Sequence, residues 1–205
     1  MKWQTAKWFL QHPRYLPQMF QLVRRRFAEA WENTREEALS WCEQHKLPKE
    51  EILERLGIKT GLLHPEAVFP EVYKWAKERM AECPYPMGGE GAVDFLYTVT
   101  KALKPRYVIE TGVAYGWSSL AILLALKDQP NARLISIDMP YVNMENEPWV
   151  GCVVPLDLRN QWILLRYPDL IGLPKALKLC SYQIHLAHYD SDKSYVGRMF
   201  AYPRL

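Results

Sequence analysis

Several features that would assign this sequence quickly are missing from it. Its 205 residues carry a formal net charge of only +3, a weakly basic balance that says little about nucleic acid or membrane. The four cysteines, Cys42, Cys83, Cys152 and Cys180, stand far apart. That spacing lacks the close pairs of a structural metal site and the density of a disulfide scaffold, and it reads as free thiols in a cytoplasmic protein. No hydrophobic run approaches the length of a membrane span. The opening MKWQTAKWFLQHP has no continuous apolar stretch and no small-residue cleavage site, so no secretory signal is expected. There is no internal repeat, and no G-K-[ST] follows a glycine turn, which excludes a P-loop.

What is present is the composition of a folded globular chain. Hydrophobic residues make up 49% and charged residues 24%, enough for one sizeable core and a small accessory region. Most of the 8 Trp and 12 Tyr are expected to pack, with a few lining a ligand cavity. The first eighty residues read as helical. Leu16, Met19, Phe20, Val23, Phe27, Ala30 and Trp31 form an apolar stripe over 15–31. The triplet Arg24–Arg26 lies mostly off that stripe and is read as a solvated helix face. Thr34 and Glu37 resemble a capping box. Pro48 precedes a helix over 49–56 with Gly57 as its stop, and His64-Pro65 opens another over 66–80. The segment CPYPMGGEG at 83–91 marks a linker, dividing a helical region, 1–83, from a core, 84–205.

From Tyr107 the pattern alternates. Short apolar runs at 107–109, 134–137, 162–165 and 184–189 read as strands, with helices over 94–103 and 117–126. This order predicts a parallel sheet with right-handed crossovers. The centre is Tyr107-Val-Ile-Glu110-Thr-Gly112-Val-Ala-Tyr-Gly116-Trp-Ser118-Ser119. A strand ends at Glu110, the chain turns through Gly112 and Gly116, and a helix begins. Glycine permits the turn and a close approach. The unpaired N–H groups of the helix entrance, with Ser118 beside them, can donate to a polar or negative group. The dinucleotide fingerprint G-x-G-x-x-G/A fails, because Ala114 and Trp117 occupy its later glycine positions. Asp138 ends the next strand, where a carboxylate can accept ribose hydroxyls.

The string from Glu110 to Gly116 resembles the first motif of class I S-adenosylmethionine-dependent methyltransferases. The longer ETGVAYGWSSLAILLAL is similar to a bacterial subgroup acting on small molecules, as is the later pattern Val154-Pro155, Leu158-Arg159 and Trp162. The resemblance covers roughly residue 87 to the end. It implies a Rossmann-like parallel-sheet methyltransferase core behind an N-terminal helical region. It also implies cofactor roles: Glu110 at the methionine end, Gly112, Gly116 and Ser118 at the turn, and Asp138 at the ribose.

A second polar cluster, His188-Tyr-Asp190-Ser-Asp192-Lys193-Ser-Tyr195, is expected at the carboxyl end of the fourth strand. In magnesium-dependent members of the resembled family the first acid of such a string, here Asp190, binds the metal. The same residues can orient a substrate or cap the next helix. Lys193, His188 and Asp190 are candidate bases, with no assignment among them; Asp190 and Lys193 are the expected catalytic residues. Relatives continue beyond the helix that begins at Ser194 with further strands, so a C-terminally truncated sheet is expected. The resulting expectation is methyl transfer from S-adenosylmethionine to a small-molecule acceptor at oxygen, with Mg2+ as an optional cofactor. No nucleic-acid or membrane partner is expected, and the helical region would cover the acceptor pocket or build a homo-oligomer. A non-catalytic nucleotide-binding or interaction protein derived from the same fold is the alternative. An NAD-dependent oxidoreductase is disfavoured by Trp117.

Overall fold

Proline and glycine divide the first hundred residues into short helices. The computed structural model describes residues 3–28 and 35–205; the expectations for Ala30, Trp31 and Thr34 lie outside these. Helix α1 (Trp3–Gln11) leads through a single 3-10 turn, Pro13–Tyr15, into α2 (Leu16–Ala28). Helices α3 (Arg35–His45) and α4 (Lys49–Arg55) follow. The latter is stopped by Gly57 at φ 73°, whose N–H bonds the Glu54 carbonyl. The helix expected over 66–80 is two helices, α5 (Pro65–Val68) and α6 (Pro70–Ala81). Pro70 separates them, since the residue before a proline is driven out of the helical region; Phe69 sits at φ −128°, ψ 57°. Helix α7 (Val93–Leu103) then ends at Lys104 in the left-handed conformation.

The α/β part runs β1 (Tyr107–Thr111), α8 (Trp117–Leu126), β2 (Arg133–Ile137), β3 (Trp162–Leu165), α9 (Asp169–Leu179), β4 (Leu186–Tyr189) and α10 (Tyr195–Ala201). All pairings are parallel, in the order β3-β2-β1-β4. The fold is therefore the expected Rossmann-like parallel sheet flanked by helices. The chain steps from β1 outward to β3 and then returns to the far side of β1. That reversal makes β1 and β4 a topological switch point, where the carboxyl ends of the strands open a crevice.

Alternation along the strands assigns the two faces of the sheet. Val108, Leu134 and Leu186 pack with α8, while Ile109, Ile135 and Ile137 pack with Leu173 and Ala176 of α9. Every residue of α8 except Ser118 is buried, as an all-apolar helix requires. The first of these cores crosses the 83–91 linker, for Tyr73 and Ala76 of α6 join Trp117 and Leu120 in it. Trp117 faces α6; its indole N–H donates to the Met80 sulfur at 3.3 Å and its ring lies 5.7 Å from that of Tyr73. No helix among the described residues is long and apolar enough to cross a membrane.

Helix α2 departs from the simple reading of its pattern. Phe20 and Phe27, on the apolar stripe, are 69% and 76% exposed. The opposite, more polar side, with Gln18, Gln21, Leu22 and Arg25, is turned over the carboxyl edge of the sheet. The middle arginine of the basic triplet is thus only partly solvated: Arg25 Nη1 lies 3.3 Å from Asp192 Oδ1.

Candidate functional site

The turn after β1 is shaped as much by the protein's own backbone as by any ligand. Gly112 sits at φ 81°, and a Cβ there would come within 2.8 Å of the Asp190 carbonyl oxygen. Gly116 sits at φ 96°, and its Cβ would meet the Gly151 Cα at 2.9 Å. The Gly112 N–H bonds Ile137, and the Asp190 N–H bonds Thr111, so strand-like pairing continues to the rim of the crevice. The Val154–Trp162 pattern supports the same turn from below. Arg159 donates to the carbonyls of Gly151 and Val154, and Gly151 leaves room for the Trp162 ring.

Two cavities open here and share Gly112, Tyr141 and Asp190 in their walls. One, of about 550 Å³, is bounded by the linker at 88–92, the turn 112–116, Trp117, Ser118, His188 and Lys193. No side chain caps the α8 N-terminus, which leaves the entrance of that helix to face this space. The linker is fastened across it by Tyr115, whose hydroxyl donates to the Tyr85 carbonyl at 2.6 Å and accepts from the Met87 N–H. The other cavity, of about 350 Å³, is bounded by Asp138–Val142, Pro168, Asp169, Ser191, Asp192 and the polar side of α2.

The expected site residues divide accordingly. Gly112, Gly116, Ser118, Asp138, Asp190 and Lys193 all border one cavity or both. Glu110 does not. It is fully buried, and its Oε2 accepts hydrogen bonds from Ser119 and Ser136 at 2.6 Å each. Its carboxylate stands behind the cavity wall, beside His188. Asp138 is also committed: its Oδ1 faces the Val113 N–H at 3.4 Å, and its Oδ2 faces Arg166 Nη1 at 2.5 Å. Burial raises the Asp138 pKa above its ordinary value, against the opposing pull of Arg166. Arg166 also binds Glu147, and this contact holds the Glu147 carboxyl below its usual range.

Lys193 Nζ and Asp190 Oδ1 form a pair at 2.6 Å, with both side chains more than half exposed. Among the described residues no three His, Cys, Asp or Glu side chains are grouped to hold a metal ion. Mg2+ asks for a near-octahedral set of oxygen donors, and Asp190 facing an ammonium does not begin one; the residues present do not fit that ion.

Sequence reasoning missed Arg166 and Asp169. Both follow β3, at the carboxyl edge where open sheets bind ligands, and that position was the available signal. Asp169 opens α9 and accepts a hydrogen bond from Ser191, yet burial pushes its carboxyl up to about 6.

No protein-family model matches the chain, and no curated protein matches it. Among solved structures it is similar to cofactor-bound Rv0187 from MTB, at 18% identity over 78% of this chain and 67% of that one, with a TM-score of 0.47. It is also similar to the O-methyltransferase from Bacillus cereus in complex with SAH, at 15% identity over 70% and 60%, with a TM-score of 0.43.

Proposed function

We propose that the chain binds S-adenosylmethionine and transfers its methyl group to a small-molecule acceptor at oxygen. The observation that carries this reading is the pair of adjoining cavities at the switch point, divided by Gly112 and Tyr141. The smaller has a carboxylate, Asp138, in its wall for ribose hydroxyls. The larger has the uncapped α8 entrance and Ser118 for an amino-acid carboxylate. A ligand with a nucleoside at one end and an amino acid at the other matches that polarity. A pyrophosphate cofactor does not, because Trp117 fills the place of the third fingerprint glycine. When bound, the cofactor supplies an electrophilic methyl group, and the protein's part is to hold an acceptor in line with it and to take up the acceptor proton.

One observation favours the non-catalytic alternative: Asp138 is already paired with Arg166. Calorimetric titration with S-adenosylmethionine, S-adenosylhomocysteine and NAD separates the readings. Binding of the two sulfur ligands and not NAD is expected. Folded protein that binds neither sulfur ligand would reject the proposal, and binding without turnover across a broad acceptor panel would favour the alternative.

A further inference from the structure

The groups hidden behind the larger cavity suggest how that proton is taken up. Glu110 and His188 are register partners on β1 and β4, so their side chains emerge on the same face of the sheet. Glu110 is wholly buried. Its Oε2 has two donors, Ser119 and Ser136, but its Oε1 has none, and His188 Nδ1 is likewise buried without a partner. These two orphaned atoms face each other at 3.6 Å. The His188 side chain is 23% exposed and forms part of the cavity wall. With Nδ1 sealed against Glu110, Nε2 is the ring nitrogen left to the cavity.

We infer that His188 is the proton acceptor of this cavity and that Glu110 is its positioning residue, fixing the imidazole tautomer from behind. A buried carboxylate oxygen with no donor is satisfied by an Nδ1–H, and a neutral imidazole protonated at Nδ1 must carry its lone pair at Nε2. This deepens the methyl-transfer reading and rests on it for the reaction served. There, an acceptor hydroxyl gives its proton to His188 Nε2 while its oxygen forms the bond to the methyl carbon. The carbon–sulfur bond breaks with its electron pair going to sulfur, and the imidazolium later releases the proton to water. Lys193 is a poorer candidate, being an exposed ammonium already paired with Asp190.

The pairing is tested without any acceptor, by 15N NMR of the histidine rings at mildly alkaline pH. Wild-type His188 is expected as the Nδ1–H tautomer. In Glu110→Gln the side-chain carbonyl stays with the donors Ser119 and Ser136, so the amide NH2 is turned toward His188. A donor facing Nδ1 forces the proton to Nε2, and the tautomer should invert. Diethyl pyrocarbonate, which attacks an unprotonated imidazole nitrogen, should label wild-type His188 and label the variant more slowly by about tenfold, the worth of one hydrogen bond.

A wild-type Nε2–H tautomer, an unaltered tautomer in folded Glu110→Gln, or a His188 that resists labelling would each overturn the inference. The wild-type spectrum and labelling decide it even if the variant does not fold. Failure of the methyl-transfer reading looks different: the tautomer and labelling are as expected, but S-adenosylhomocysteine does not bind.

Discussion

Arg166 binds Asp138 twice, its Nη1 lying 2.5 Å from Oδ2 and 2.6 Å from the backbone carbonyl oxygen. A ribose that uses this carboxylate must share it with, or take it from, a guanidinium that is itself mostly buried. Asp138→Ala is therefore expected to weaken S-adenosylhomocysteine binding by about 1.5–3 kcal/mol, the worth of a hydrogen bond to a charged acceptor. Arg166→Gln should do the reverse and tighten binding, because Asp138 no longer has to leave an ion pair. The same substitution should cost about 3–5 kcal/mol of stability by leaving a buried carboxylate without its counter-charge. Calorimetry and chemical denaturation on the two variants check both statements; unchanged affinity in Asp138→Ala would remove Asp138 from the site.

Gly112→Ala tests the turn itself. The new methyl group meets the Asp190 carbonyl at 2.8 Å in a left-handed backbone, and the nearest atoms around it are all backbone. A loss of about 2–4 kcal/mol is expected from strain and the displacement of β4 from β1. A thermal unfolding midpoint equal to wild type would show that the turn has room the distances deny.

The sheet was legible in the sequence because its signals are local. The apolar run from Trp117 to Leu126 and the glycine before it gave the bounds of α8, and short apolar runs gave β1, β2 and β3, whereas β4 came from a less apolar stretch, 184–189, that is wider than the strand. What was not legible depends on tertiary neighbours. Helix α9 contains Gly172 and Pro174, both poor helix residues. Gly172 is there because a Cβ would strike Ile137 at 2.3 Å, a demand made by β2 and not by local sequence. The stripe on α2 misled because Phe20 and Phe27 stay open while Gln18, Gln21 and Arg25 are drawn to the cavity. Glu110 had the right position for a ligand contact but the wrong direction, since the alternation of β1 aims it at α8.

Asp169 gives a pH dependence with a definite sign. Its folded-state pKa, about 6, lies above the ordinary 3.8, chiefly through burial. The folded chain holds this proton more tightly than the unfolded chain, so the group's contribution is fully favourable below about pH 4, declines as pH rises to about 6, and is constant above. Asp169→Asn removes the titration and should stabilise the protein by about 1–3 kcal/mol at pH 7, with the difference closing below about pH 4. Urea denaturation of both proteins across that range checks it; a difference independent of pH would assign the effect to packing.

For Asp190 the expectation is a small effect on the fold. An exposed ion pair such as Asp190–Lys193 contributes about 0.5 kcal/mol or less, so Asp190→Ala should unfold near the wild-type midpoint. Since no metal set gathers around Asp190 among the described residues, turnover of any acceptor found should survive a chelator. Loss of rate on adding EDTA, restored by Mg2+, would contradict this.

The row of polar groups under the cavity also bears on the register of the strands. Trp162 donates to Ser136, Ser136 to Glu110, and Glu110 faces His188, one group from each of β3, β2, β1 and β4. Sliding β2 by one residue along β1 would set Ile135 or Ile137 opposite Glu110 in place of Ser136, stranding a carboxylate against hydrocarbon. Aliphatic strands alone discriminate poorly among neighbouring alignments, whereas a buried charge admits only those that supply donors. The same carboxylate thus favours the native alignment of β2 on β1, in which Ser136 stands opposite it as a donor.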